Sequence, residues 1–244
     1  SPQIDLEALD LYLTYKYIPA PWTIFQGIRK LPPASILVWE DGKITISEYW
    51  DLKFTPNRDF TETEWKNQIM DTLREAVKIR LISDVPLGVL LSGGIDSSAV
   101  TALASQFSDE PIKTFSVGFE ETDFSELEYA RLIAKRFNTD HREFIVKPEA
   151  VGILPKLISH YGEPFADASC IPTFYLAKLS KEFVTVALCG DGGDENFAGY
   201  DWYNIHGLFR PFDVFPRFLF ALNDSLFKVM GFARSKSVLL RRLK

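Results

Sequence analysis

The chain has 244 residues, a formal charge of −6 and a pI near 5.2. Its length suits one sizeable α/β core or a core plus a small appendage. The acidic balance argues against nonspecific nucleic-acid binding, no apolar run reaches bilayer-spanning length, and no leader segment is visible, so a cytoplasmic location is expected.

In chain order, Leu6, Leu9, Leu13 and Tyr17 form a helical stripe. A Pro-rich connection around Pro19, Pro21, Pro32 and Pro33 follows. Ser35–Glu40 and Lys43–Ser47 flank Asp41-Gly42, a two-residue hairpin signal. Thr61-Glu62-Thr63-Glu64 is a capping box that opens a helix to about Leu81. Beyond it, strands near Leu87–Leu91, Ile112–Val117, Glu143–Val146 and Val184–Leu188 alternate with helices near Ser97–Phe107, Glu126–Phe137, Glu149–Tyr161 and Pro172–Glu182. Such alternation predicts an α/β fold with a mostly parallel sheet covered on both faces, and a ligand beyond the carboxyl ends of the strands. From Pro211 onward, Phe215, Phe218, Leu219, Leu222, Leu226, Val229 and Met230 recur at helical spacing and predict a core-facing helix. Cys170 and Cys189 form no Cys-x-x-Cys pair, so zinc is not expected and both thiols read as small buried side chains. His141, His160 and His206 are scattered and read as structural.

Ser92-Gly93-Gly94-Ile95-Asp96-Ser97-Ser98 joins the Leu87–Leu91 run to the next helix. A glycine-rich turn at a helix N-terminus lets backbone amides approach an anion, and the helix dipole favours negative charge there. Ser92, Ser97 and Ser98 add hydroxyl donors. The turn lacks the lysine of the common mononucleotide loop, and an acid, Asp96, stands inside it. A carboxylate beside phosphates calls for a bridging cation. The motif therefore points to a pyrophosphate bound through Mg2+. Asp194 follows another predicted strand and is placed to converge with Asp96 on the same sheet edge.

The 92–98 turn resembles the pyrophosphate loop of the N-type ATP pyrophosphatases. A second block, Gly190-Asp191-Gly192-Gly193-Asp194-Glu195-Asn196-Phe197-Ala198-Gly199-Tyr200, is similar to a segment of the asparagine synthetase (glutamine-hydrolysing) family, as are Thr114–Phe119 and Gly162–Asp167. The resemblance implies an adenine nucleotide α-hydrolase-like (ATP pyrophosphatase) fold. It assigns ATP and pyrophosphate contacts to Leu91, Ser92, Gly93, Gly94, Asp96, Ser97, Ser98, Val117, Gly118, Cys189, Gly190 and Asp191, and Mg2+ to Asp96 and Asp194. It places Glu163, Asp167 and Ser169 near the acceptor substrate, where a structural loop with caps is the competing reading. Asn196 departs from the family pattern and either caps the following helix or weakens packing.

The activity implied is that of an ATP-dependent carbon–nitrogen ligase. The side-chain carboxylate of aspartate is adenylated, and ammonia from glutamine displaces AMP to give asparagine, AMP and pyrophosphate. The alternatives are an amidotransferase acting on another carboxylate, such as a cell-surface glycan or a β-lactam precursor, and a nucleotide-binding fragment without turnover. By the same resemblance, residues 1–58 are an inter-domain junction with a helix and hairpin, and 59–244 a C-terminally truncated synthetase domain. The N-terminal glutaminase domain and the family's catalytic lysine are expected to lie outside the chain. Apolar surface in the junction is expected to be exposed or used in homodimer contacts.

Overall fold

The computed structural model describes residues 2–119, 126–146 and 150–209. It divides into two compact units between Gly190 and Asp191. The first contains α1 (Leu6–Tyr15), β1 (Ser35–Glu40), β2 (Lys43–Glu48), α2 (Glu62–Arg80), β3 (Leu87–Leu90), α3 (Ile95–Gln106), β4 (Lys113–Phe119), α4 (Leu127–Phe137), β5 (Asp140–Val146), α5 (Ala150–Tyr161), α6 (Cys170–Ser180) and β6 (Val186–Leu188). The second contains α7 (Gly193–Phe197) and α8 (Asp201–Phe209), neither of which the sequence pattern announced. The Phe-rich stripe beyond Pro211 lies outside the described residues.

Helix starts follow local chemistry. The Asp5 carboxylate accepts hydrogen bonds from the Glu7 and Ala8 amides at the head of α1. Thr61 and Glu64 close a reciprocal capping box at the head of α2. β1 and β2 pair antiparallel across Asp41 and Gly42, whose φ values of +49° and +77° match the twist of the flanking strands. Ala8, Ile18 and Ile24 form a small core under α1.

The main sheet is parallel, in the order β5-β4-β3-β6. Two crossovers step from β3 through β4 to β5 and carry α3 and α4, which pack against each other. The return from β5 to β6 carries α5 and α6. Val89 packs with Val77 of α2 and with Leu103 and Ala104 of α3, and Leu91 packs with Ala130 and Ala134 of α4. On the opposite face Phe115, Phe144 and Phe183 stack with centroids 5.9–6.3 Å apart. Each such large apolar side chain removed from water contributes about 1.5–3 kcal/mol.

Two expectations are corrected. The Val184–Leu188 run is a strand only over its last three residues, and these are not buried. The strand has β3 on one side and is the sheet edge among the described residues. Cys170 is buried as expected, but Cys189 is exposed, because it lies just past that edge strand.

Candidate nucleotide site

The turn after β3 is braced from both sides. Leu91 N donates to Phe115 O at 2.8 Å, and Ser116 Oγ donates to Leu91 O. Ser92 N donates to Ser97 Oγ at 3.2 Å, the two hydroxyls lie 2.9 Å apart, and Gly94 N donates to Ser92 Oγ at 3.2 Å. Ser92 and Ser97 thus tie the turn together rather than standing as free donors. Ser98 Oγ is the exception: it is buried and has no hydrogen-bond partner among the described residues.

Gly93 has φ +89°, and a Cβ there would come within 2.6 Å of Ala130 N and Tyr129 Cβ. The head of α4 leaves no room for a side chain, so this position needs glycine for two reasons. α3 begins at Ile95 with no side-chain cap on its N-cap residue Gly94. The amides of Ile95, Asp96 and Ser97 therefore lack helical acceptors and point out of the turn. Ser92, Gly94 and Ile95 are exposed, whereas Ser97 is buried. Asp96 is half-buried, and no ion pair or hydrogen bond occupies its carboxylate among the described residues.

Gly190 joins this cluster from the far end of β6. A Cβ there would lie 2.8 Å from Ser97 N and 2.9 Å from Asp96 Cβ. The main chain leading into the second motif is thus pressed against the first. Val117 and Gly118 flank the turn on the stretch of β4 that runs past the end of β3, beyond the Leu90–Phe115 pair. Gly118 gives its missing side-chain volume to Leu127 of α4, so packing alone accounts for that glycine.

Asp191 and Asp194 belong to the second unit. There the Asp194 carboxylate lies over Gly199, with room only because that residue has no Cβ. Tyr200 Oη donates to Glu195 Oε1 at 2.7 Å. That bond pushes the Tyr200 phenol up to about 12 and lowers the Glu195 carboxyl. Asn196 Nδ2 donates to Gly192 O at 2.6 Å, which settles its role as a local brace of α7. No cluster of three or more metal-binding side chains occurs among the described residues. Mg2+ held with phosphates needs only one or two carboxylates, and the unengaged Asp96 suits that donor set.

The two acids of the 162–169 loop, Glu163 and Asp167, are both engaged. Glu163 receives the Lys30 ammonium, and the Asp167 carboxylate accepts from Ser169 N at 2.9 Å at the head of α6. The Ser169 amide, then its hydroxyl, hold the Asp167 carboxyl below the ordinary carboxylate range. Sequence reasoning passed over Lys30 and Ser116. Lys30 lies 133 residues from its partner, and no local signal pairs them.

The asparagine synthase family model matches residues 68–243. The glutamine amidotransferase domain model matches residues 1–50. Asparagine synthetase (glutamine-hydrolyzing) 1 of Bacillus subtilis is 37% identical over 216 residues, covering 88% of this chain and 34% of that protein. A Methanocaldococcus jannaschii protein provisionally named asparagine synthetase (glutamine-hydrolyzing) 2 is 36% identical over 205 residues, covering 81% and 39%. The chain thus spans little more than a third of the length of these relatives. Among solved structures, glutamine-dependent NAD+ synthetase from Acinetobacter baumannii aligns with a TM-score of 0.43 and 22% identity, over 65% of this chain and 32% of that chain.

Proposed function

The chain belongs to the asparagine synthase family, and from that premise we propose that it carries the nucleotide-binding part of an ATP-dependent ligase that converts aspartate to asparagine. ATP lies with its pyrophosphate on the amides of the 92–98 turn and its adenine beside Leu91, Val117, Gly118 and the Cys189–Asp191 main chain. The aspartate side-chain carboxylate attacks the α-phosphorus, and the bond to pyrophosphate breaks. The turn amides stabilise the charge gathering on that leaving group. Ammonia from glutamine then attacks the acyl carbon and AMP departs. Asp96 and Asp194 hold Mg2+, which when bound screens the pyrophosphate charge. Residues 1–58 act as the junction and 59–244 as the synthetase domain, in a cytoplasmic protein that allows a homodimer. An acceptor other than aspartate is not favoured, since the Bacillus subtilis and Methanocaldococcus jannaschii relatives both bear asparagine synthetase names.

The observation that carries this reading is the turn itself: Gly93 at φ +89° packed against the head of α4, an uncapped start of α3, and an Asp96 carboxylate with no partner among the described residues. Calorimetric titration with ATP, with and without Mg2+ and beside GTP, tests it. Selective Mg2+-dependent ATP binding is expected, weakened about tenfold or more by Asp96→Asn with the circular dichroism unchanged. Full metal-dependent affinity in that variant would remove Asp96 from the metal site. A folded chain that binds no ATP would overturn the proposal.

A further inference from the structure

The loop between α5 and α6 is held from outside as well as from within. Lys30 Nζ donates to Ile18 O at 2.6 Å and to Glu163 Oε1. The two side chains are 34% and 19% exposed, so the pair is partly withdrawn from water. The Lys30 main chain is itself pinned, with its amide bonded to Pro21 O at 2.9 Å. Three residues beyond Glu163, Ala166 N donates to Lys16 O at 2.9 Å, and Lys16 is the left-handed residue that ends α1. Asp167 then accepts from the amide of Ser169, the residue that precedes α6. Residues 163 and 166 are thus fixed by the N-terminal segment, and 167 by Ser169.

All the outside partners, Lys16, Ile18 and Lys30, lie in the 1–50 segment that matches the amidotransferase domain model. The loop they hold is the one that the family resemblance sets beside the acceptor. We propose that Lys30, acting through Glu163, is a positioning residue for the 162–169 loop, so that the amidotransferase-like segment sets the geometry of the acceptor side of the ligase site. This rests on the ligase reading above. The loop's own contacts are with its flanking helices: Phe165 packs on Tyr161 with ring centroids 4.7 Å apart, while Ala166 and Ala168 are exposed. A half-buried carboxylate that loses its cation is also left desolvated and unpaired, which favours its swinging out to water. Displacement of the N-terminal segment therefore becomes displacement of the loop.

Hydrogen exchange across residues 162–169 of the full chain, together with pyrophosphate release at varied aspartate and ATP, tests this. Lys30→Met and Glu163→Gln should each speed loop exchange about tenfold, and the double variant should add nothing further, as expected for two ends of one interaction. Lys30→Arg should restore most of the protection. In the turnover assay Lys30→Met should raise the KM for aspartate about fivefold while the KM for ATP stays put. Loop exchange unchanged in Lys30→Met overturns the proposal, as does a rise in both KM values together. If the unaltered chain releases no pyrophosphate, the ligase reading fails by that result, and the exchange measurement alone decides whether Lys30 holds the loop.

Discussion

In the parallel sheet, Thr114, Phe115 and Ser116 of β4 are all buried, with helices over both faces. In the β1–β2 hairpin the same kind of residue is open to solvent: Trp39 is 69% exposed and Ile44 64%, and Ile36, Leu37, Val38 and Ile46 are near half. Both regions read as apolar strands. Consecutive apolar residues in a strand mark it as covered on both sides. For β4 the cover is α4 and α6 of the same unit; for the hairpin none is found among the described residues. Hydrophobic pattern thus reports that a strand will be covered, not whether the cover comes from the same stretch of chain.

The sharpest way to break the comparison is to truncate one aromatic residue on each side of it. Phe115→Ala should cost about 3–5 kcal/mol in urea denaturation, since a fully buried ring leaves both its transfer energy and a cavity behind. A loss under about 1 kcal/mol would mean that the sheet core is loose. A second measurement sharpens the sheet side. His141 sits in β5 with Nδ1 2.9 Å from Thr114 Oγ1, and its Nε2 is buried 3.4 Å from Glu143 Oε1 without hydrogen-bond geometry. Burial lowers its pKa, more than the Glu143 charge raises it. The folded state thus prefers neutral His141 more than the unfolded state does. Its contribution is whole above the unfolded value near 6.5 and is lost as pH falls. Thermal melting should drop by a few degrees between pH 7.5 and 5.5, and His141→Gln should flatten that slope. An unchanged slope would assign the acid sensitivity to other groups. The smallest effect is on the hairpin, where Trp39→Ser should shift stability by no more than about 0.5 kcal/mol. A loss comparable with Phe115→Ala would show that the hairpin is covered in solution.

How far the fold and site could be read ahead of the structure depended on range. The hairpin, the capping box and the glycine turn are local patterns, and each appears at its expected residues, because turn and cap chemistry acts over two to five positions. The bonds of the Ser97 hydroxyl to Ser92 and Gly94 belong to the folded turn, and composition does not reveal them. β6 read as buried because Val184-Thr185-Val186-Ala187-Leu188 is apolar enough for an interior strand, yet only topology decides that it stands at an edge. Lys30 with Glu163, and Gly190 with Asp96, are tertiary juxtapositions with no local trace. α7 and α8 are only five and nine residues long, and neither carries enough period to announce a helix.

The order β5-β4-β3-β6 also governs how the folded chain behaves in a crowd of copies. A sheet edge is a row of main-chain donors and acceptors that a neighbour's strand can copy, and the two edges that this sheet has among the described residues are protected by different means. β6 is only three residues long, so an incoming strand finds too few bonds to hold it. β5 is seven residues long, but it carries Asp140, Arg142 and Glu143, whose charges an added strand would have to strip of water. Lengthening β6 or neutralising those three residues in β5 would each turn an inert margin into a seed for aggregation.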